Sequence, residues 1–294
     1  LSSAPFADLF VTSADELRLH VRDYSARETA RLPVFCLPGL TRTVEDFDVL
    51  APALAKNEDT PRRVIAIDSR GRGLSQKDPK PENYTVPVEA ADVLTVADTL
   101  GIGRAVVVGT SRGGLIALTI AALRPEFLGG VVFNDVGPAL DMAGLMRIKG
   151  YAGKIARPRD WDEAVRNHRA LFGREFPKLS EAQWQAWARR AWKVVDGRFA
   201  GTCDARVADS LAAVTPDDPL PTLWPLYDAL KDVPLMAVRG MLSDLLSRET
   251  LAEMAARRPD LDIVEVPDEG HAPLLEDGPT IARIAAFVRR CDGI

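Results

Sequence analysis

Ser111 sits in Gly109-Thr110-Ser111-Arg112-Gly113, and that spacing of small residues around a hydroxyl suits a nucleophile held in a sharp turn. A serine hydroxyl attacks poorly at neutral pH unless a base lies within hydrogen-bond reach. The base in turn needs a third group to fix its tautomer and stabilise its charged form. The chain has three histidines, His20, His168 and His271. His20 falls inside an early strand, where a partly exposed strand residue is expected. His168 lies on an apolar helical stripe, where a packing role competes with lining a pocket. His271 follows the last apolar run in Asp268-Glu269-Gly270-His271-Ala272-Pro273, a turn able to aim its ring at Ser111, so His271 is the candidate base. Two acids, Asp135 and Asp244, each close an apolar run. Together these residues point to nucleophilic acyl transfer.

The elements that must carry them can be read from periodicity. Residues 105–108 form a fully apolar, β-branched run, which suits a strand buried on both faces. Residues 115–123 carry no charge and read as a buried helix that ends at Pro125. Further short strands are expected at 9–12, 17–21, 33–37, 63–67, 128–133, 234–238 and 261–266. Helices are expected at 43–55, 87–100 and 247–257, with a closing helix from Pro279. Such alternation calls for an α/β fold with a mostly parallel central sheet flanked by helices. Ligands in such sheets bind beyond the carboxyl ends of the strands, where Leu40, Ser111, Asp135, Asp244 and His271 all fall.

From residue 137 the pattern changes. No convincing strand is visible before 222, but helical stripes run through Trp161, Val165, His168 and Phe172, and through Trp184, Trp187, Trp192 and Val195. The expectation is a core of 1–136 and 223–294 with an all-helical insertion at 137–222, returning through the proline-rich stretch 216–221. Its tryptophans are expected to pack the cap against the core, with a substrate wall as the alternative.

Strand, G-x-S-x-G and helix in succession resemble the α/β-hydrolase superfamily. The resemblance implies the α/β-hydrolase fold with a helical cap, and a Ser-His-acid triad of Ser111, His271 and Asp244. Asp244 is preferred for its place in the chain order Ser, Asp, His and for its similarity to the family's usual acid loop. Asp135 is the alternative acid, since some members use that position. The oxyanion donors would be the backbone N–H of Arg112 and that of Leu40. Members commonly show His-Gly-X where this chain has Pro38-Gly39-Leu40, so the histidine that supports the loop is missing. Residues 68–73 resemble the family's D-x-R-G-x-G turn, with a structural role. Positive charge in the first turn of a helix calls for a compensating group, and a salt bridge from Arg112 to a cap or loop acid is the favoured account. An arginine beside the nucleophile also resembles some dehalogenase relatives, which implies the other reading, that Arg112, with Arg42, meets a substrate carboxylate.

The activity implied is cleavage of a small ester, thioester or lactone through an acyl-enzyme. Relatives that hydrolyse a carbon–carbon bond use the same triad, and a non-catalytic ligand receptor is the reading from a different class. The chain of 294 residues carries a net charge of -5 and a pI near 5.4, which argues against nucleic acid as a partner. No apolar run reaches membrane-spanning length. Three cysteines without metal or disulfide spacing suit a reducing, cytoplasmic setting. No dinucleotide fingerprint, phosphate loop or metal-spaced set is present, so no cofactor and no metal is expected. The expected partner is a small-molecule substrate, and no sequence feature sets an oligomeric state. The chain begins at Leu1, which leaves open a signal peptide removed before it.

Overall fold

Stiff β-branched side chains pack well on a pleated surface, and the strands form where such residues cluster. The computed structural model describes residues 6–24, 30–217 and 219–293; Leu1 and Asp218 of the expected return linker lie outside them. The first half holds strands β1 (Ala7–Thr12), β2 (Arg18–Asp23) and β3 (Val34–Leu37), helix α1 (Leu50–Ala55), β4 (Val64–Ile67), α2 (Val86–Thr99), β5 (Ala105–Thr110), α3 (Arg112–Leu123) and β6 (Leu128–Asn134). A different kind of segment follows, with α4 (Met142–Tyr151), α5 (Trp161–Phe172), α6 (Glu181–Ala191), β7 (Trp192–Val195), β8 (Arg198–Gly201) and α7 (Trp224–Asp228). The chain closes with β9 (Leu235–Gly240), α8 (Arg248–Arg257), β10 (Asp262–Val266) and α9 (Gly278–Cys291).

Eight strands make one sheet in the order β1-β2-β4-β3-β5-β6-β9-β10. Pairings from β4 to β10 are parallel, and β2 joins β4 and β1 antiparallel. Alternate residues of each central strand face opposite layers. Val107, Phe35 and Val131 join the apolar layer of α2, α3 and α8, while Val106, Val108, Cys36 and Val132 join that of α1 and α9. Burial on both faces explains why β3, β4 and β5 read as unbroken apolar runs. Among the described residues no helix is long and apolar enough to cross a membrane.

The segment between β6 and β9 covers the carboxyl ends of the strands. Leu145 and Ile148 of α4 pack with Leu245, just beyond β9, and the aromatic cluster of α5 and α6 packs against Leu274, beyond β10. It is not all-helical. The stripe expected through Val195 stops at Ala191, and Trp192 begins a two-stranded hairpin, β7 with β8. Its turn is Asp196-Gly197, with φ of 49° and 73°. Two consecutive positive φ angles are what a two-residue turn needs to match strand twist, and Asp-Gly supplies them.

Candidate active site

Ser111 links β5 to α3 with φ 51° and ψ -115°, a strained conformation for a residue with a side chain. The glycines make it possible. A Cβ on Gly109 would lie 2.5 Å from the backbone of Gly113, and one on Gly113 would collide with the Leu37 carbonyl. Ser111 Oγ lies 2.9 Å from His271 Nε2. His271 is 8 % exposed, in the turn after β10.

The other ring nitrogen meets Asp135, not Asp244. His271 Nδ1 lies 2.8 Å from Asp135 Oδ2. An ionised carboxylate can only accept, so Nδ1–H donates and Nε2 presents its lone pair to the Ser111 hydroxyl. Asp135 is fully buried, with φ 56°, directly after β6. It also accepts from the Gly240 N–H at 2.9 Å and from the Ser243 hydroxyl at 2.5 Å. The preference for Asp244 is therefore corrected. Its carboxylate is occupied by Arg147 of α4, with Nε to Oδ2 at 2.6 Å and Nη2 to Oδ1 at 2.7 Å. Burial would raise the Asp244 carboxyl, but the bond from Arg147 and its charge together outweigh it and hold the carboxyl below the usual range. Arg147 also reaches Glu175 at 2.9 Å, so the position expected to hold the acid instead ties the insertion to the core.

Leu40 and Arg112 flank Ser111 in the cleft wall. The N–H of Arg112 is at the first position of α3 and has no intrahelical acceptor. The support that the missing histidine left in question comes from Arg72, whose Nε donates to the Leu40 carbonyl at 2.8 Å. Arg72 Nη1 reaches buried Glu89 at 2.7 Å, and Arg112 Nε reaches the same carboxylate at 2.6 Å. Burial would raise the Glu89 carboxyl, but the charges of Arg72 and Arg112 overcome it and hold it low. One carboxylate on α2 thus braces the loop of Leu40 and the first turn of α3.

These residues open into a cleft of about 160 Å³, walled mainly by apolar side chains such as Leu140, Leu145, Ile148 and Phe172. Of the two readings of Arg112, the salt bridge is the one present, made to an acid on α2 rather than on the cap or a loop. Its guanidinium is spent on Glu89 and on the Tyr84 carbonyl, at 2.9 Å. Positive charge in the first turn of a helix is unfavourable, and Glu89 is what compensates it. Arg42 lines the cleft but is bidentate to Asp46, at 2.6 and 2.8 Å. His168 lines it too, 1 % exposed, its Nδ1 2.9 Å from the Ala164 carbonyl. Trp187 contributes to the same wall, so the tryptophans do more than pack. His20 is not partly exposed. It is 1 % exposed, with Nδ1 2.7 Å from Asp68 and Nε2 3.0 Å from Asp8, since two carboxylates compensate its burial.

Residues 34–284 match the model of the alpha/beta hydrolase family. The chain belongs to that family. The α/β-hydrolase is 35 % identical over 262 residues to the 3-hydroxybutyrate-oligomer hydrolase of Cupriavidus necator, covering 86 % of each chain. It is 28 % identical to the 2-(acetamidomethylene)succinate hydrolase of Mesorhizobium japonicum, over 79 % of each. A crystal structure of an alpha/beta hydrolase from Novosphingobium aromaticivorans superposes with a TM-score of 0.90 at 38 % identity, covering 98 % of this chain and 100 % of that one. The relatives and the structural neighbour are hydrolases, and so is this enzyme.

Three contributors to the hydrolase's site escaped the reading of its sequence. Glu89 looked like any acid in the first turn of a helix. Its one signal was Arg112, an unpaired cation at the start of α3 that required a nearby anion. Ser243 carried no signal beyond residue type, because its role depends on a contact between segments distant in sequence. Trp187 lay on a helical stripe that was read as packing.

Proposed function

We propose that this α/β-hydrolase cleaves short carboxylic esters through an acyl-enzyme on Ser111, with His271 as base and Asp135 as the acid that orients it. The observation that carries the reading is the unbroken chain Ser111 Oγ, His271 Nε2, His271 Nδ1, Asp135 Oδ2, with links of 2.9 and 2.8 Å, at the mouth of an apolar cleft. Nε2 takes the hydroxyl proton as Oγ attacks the ester carbon. The Leu40 and Arg112 N–H groups stabilise the oxyanion. The imidazolium, held by Asp135, then passes its proton to the departing alkoxide. A water activated by the same nitrogen attacks the acyl carbon and releases the acid.

The name of the Cupriavidus necator relative supports short hydroxyacid esters as the class of substrate. The engagement of the arginines with acids counts against a substrate held by its charge.

A fluorophosphonate probe labels the wild-type enzyme, and Ser111→Ala abolishes both labelling and hydrolysis of p-nitrophenyl butyrate. Equal labelling of the two proteins overturns the assignment.

A further inference from the structure

Ser111 and His271 lie 160 residues apart in the chain, so nothing local sets the distance between them. The end of β6 meets both of their turns. The Asn134 carbonyl accepts the Ser111 N–H at 2.9 Å. The Asn134 side chain reaches further in both directions. Its Nδ2 donates to Thr110 Oγ1 at 3.0 Å, directly before the nucleophile, and to the Pro273 carbonyl at 2.9 Å, two residues past the base. A peptide carbonyl can only accept, so the nitrogen of the amide and not its oxygen must face Pro273. Both protons of the NH₂ are then used, one on each turn. Asn134 is fully buried, and among the described residues its Oδ1 has no hydrogen-bond partner. A buried acceptor left unpaired is unfavourable, so the two bonds of the nitrogen are what fix the amide's orientation. Asp135, the next residue, meets the His271 ring at 2.8 Å. Two consecutive side chains of one strand end therefore hold the His271 turn, one by its ring and one by its backbone.

Resting on the acyl-enzyme reading above, we infer that Asn134 is a positioning residue, whose side-chain amide sets the separation between the Ser111 hydroxyl and the His271 ring. It acts through Thr110 and Pro273, whose near neighbours carry the reacting groups. Proton transfer needs Oγ and Nε2 within hydrogen-bond reach, and a misplacement of about 1 Å can lower a rate about 100-fold. The place calls for two donor protons on one short stem. Leucine has the size without the donors, and aspartate sets an acceptor against the Pro273 carbonyl.

The test measures hydrolysis of p-nitrophenyl butyrate, the rate of fluorophosphonate labelling and the melting temperature in the wild type, Asn134→Leu and Thr110→Val. In Asn134→Leu kcat falls about 10- to 100-fold while KM changes by less than about threefold, because the lost bonds align the reacting groups and do not hold the ester. The labelling rate falls in the same proportion, since the probe uses the same contact between Ser111 and His271 and needs no deacylation. Thr110→Val keeps the shape and removes only the acceptor on the nucleophile's side. It lowers the same two rates about 3- to 10-fold, the order of one neutral hydrogen bond, and reads the tether even if Asn134→Leu does not fold. Wild-type rates in every variant that folds overturn the role, whether or not the melting temperature drops. A raised KM with unchanged kcat and labelling overturns it too. Failure of the underlying reading looks different: Ser111→Ala then hydrolyses the ester and takes up the probe as the wild type does.

Discussion

Asp135 accepts three hydrogen bonds inside a fully buried pocket, from the Gly240 N–H, the Ser243 hydroxyl and the His271 ring. Asp135→Asn must turn an amide NH₂ toward one of these donors or force the other imidazole tautomer. With the amide oxygen kept on the Gly240 N–H, the NH₂ faces Nδ1 and forces the proton onto Nε2, which removes the lone pair that faces Ser111, and kcat falls by about 10⁴-fold with the fold retained, if the serine-protease precedent transfers. Asp244→Asn leaves every bond to His271 in place, and steady-state kinetics should show a loss of less than about tenfold, of the order of one modest polar contact. A large loss in Asp244→Asn with near-normal Asp135→Asn reverses the assignment. Ser111 and His271 were legible in the sequence because type and local setting left little choice. The acid was not. Both Asp135 and Asp244 lie between Ser111 and His271 in chain order, and both end a strand. What separates them is Arg147, a residue on α4 that claims Asp244 from outside the sheet.

At the scale of elements, α2 does more than cover the sheet. Through Glu89 it holds Arg72 against the Leu40 carbonyl and Arg112 at the start of α3. Glu89→Gln keeps the shape and removes the charge. If the proposed oxyanion donors act in the transition state, kcat drops about 10- to 100-fold while KM changes less, a fraction of the 10²–10³ lost when a donor is deleted outright. Affinity for a boronic acid transition-state analogue falls in parallel, which a purely structural role does not predict. A lowered melting temperature with unchanged kcat contradicts the bracing role. The strands and helices of the core were legible from periodicity, because each buries a regular face. The hairpin of β7 and β8 was masked by an amphipathic stripe that runs on past Ala191. Its local signal was nonetheless present in Asp196-Gly197 between two runs of β-formers.

Stability as a whole bears the mark of one acid in the His271 turn. Burial raises the Glu269 carboxyl to about 7, and its Oε2 accepts from the Leu274 N–H at 2.8 Å. The folded protein holds this proton up to about pH 7, whereas the unfolded chain releases it near the ordinary glutamate value of 4.5. The native state therefore binds more protons between those limits, and the contribution of this group to stability declines as pH rises through them. Glu269→Gln removes that decline. Thermal melts from pH 5 to pH 8 should show the variant gaining on the wild type as pH rises, and a gap that stays constant contradicts the shift.

Placing the acid directly after β6 has a consequence for how the chain can diversify. Ser111 and Asp135 end neighbouring strands, β5 and β6, joined by a hydrogen-bonded ladder. Leu40, Arg72, Glu89 and Arg112 also precede residue 137. Ser111, Asp135, Leu40 and Arg112, with their brace, thus all precede the segment over the cleft, and His271 returns after it together with Gly240 and Ser243, which hold Asp135. That segment can be lengthened, shortened or exchanged for another without altering the spacing of the pieces already laid down. The proposed nucleophile and acid thus lie together on one side of that segment in the chain, and the imidazole between them comes from the other.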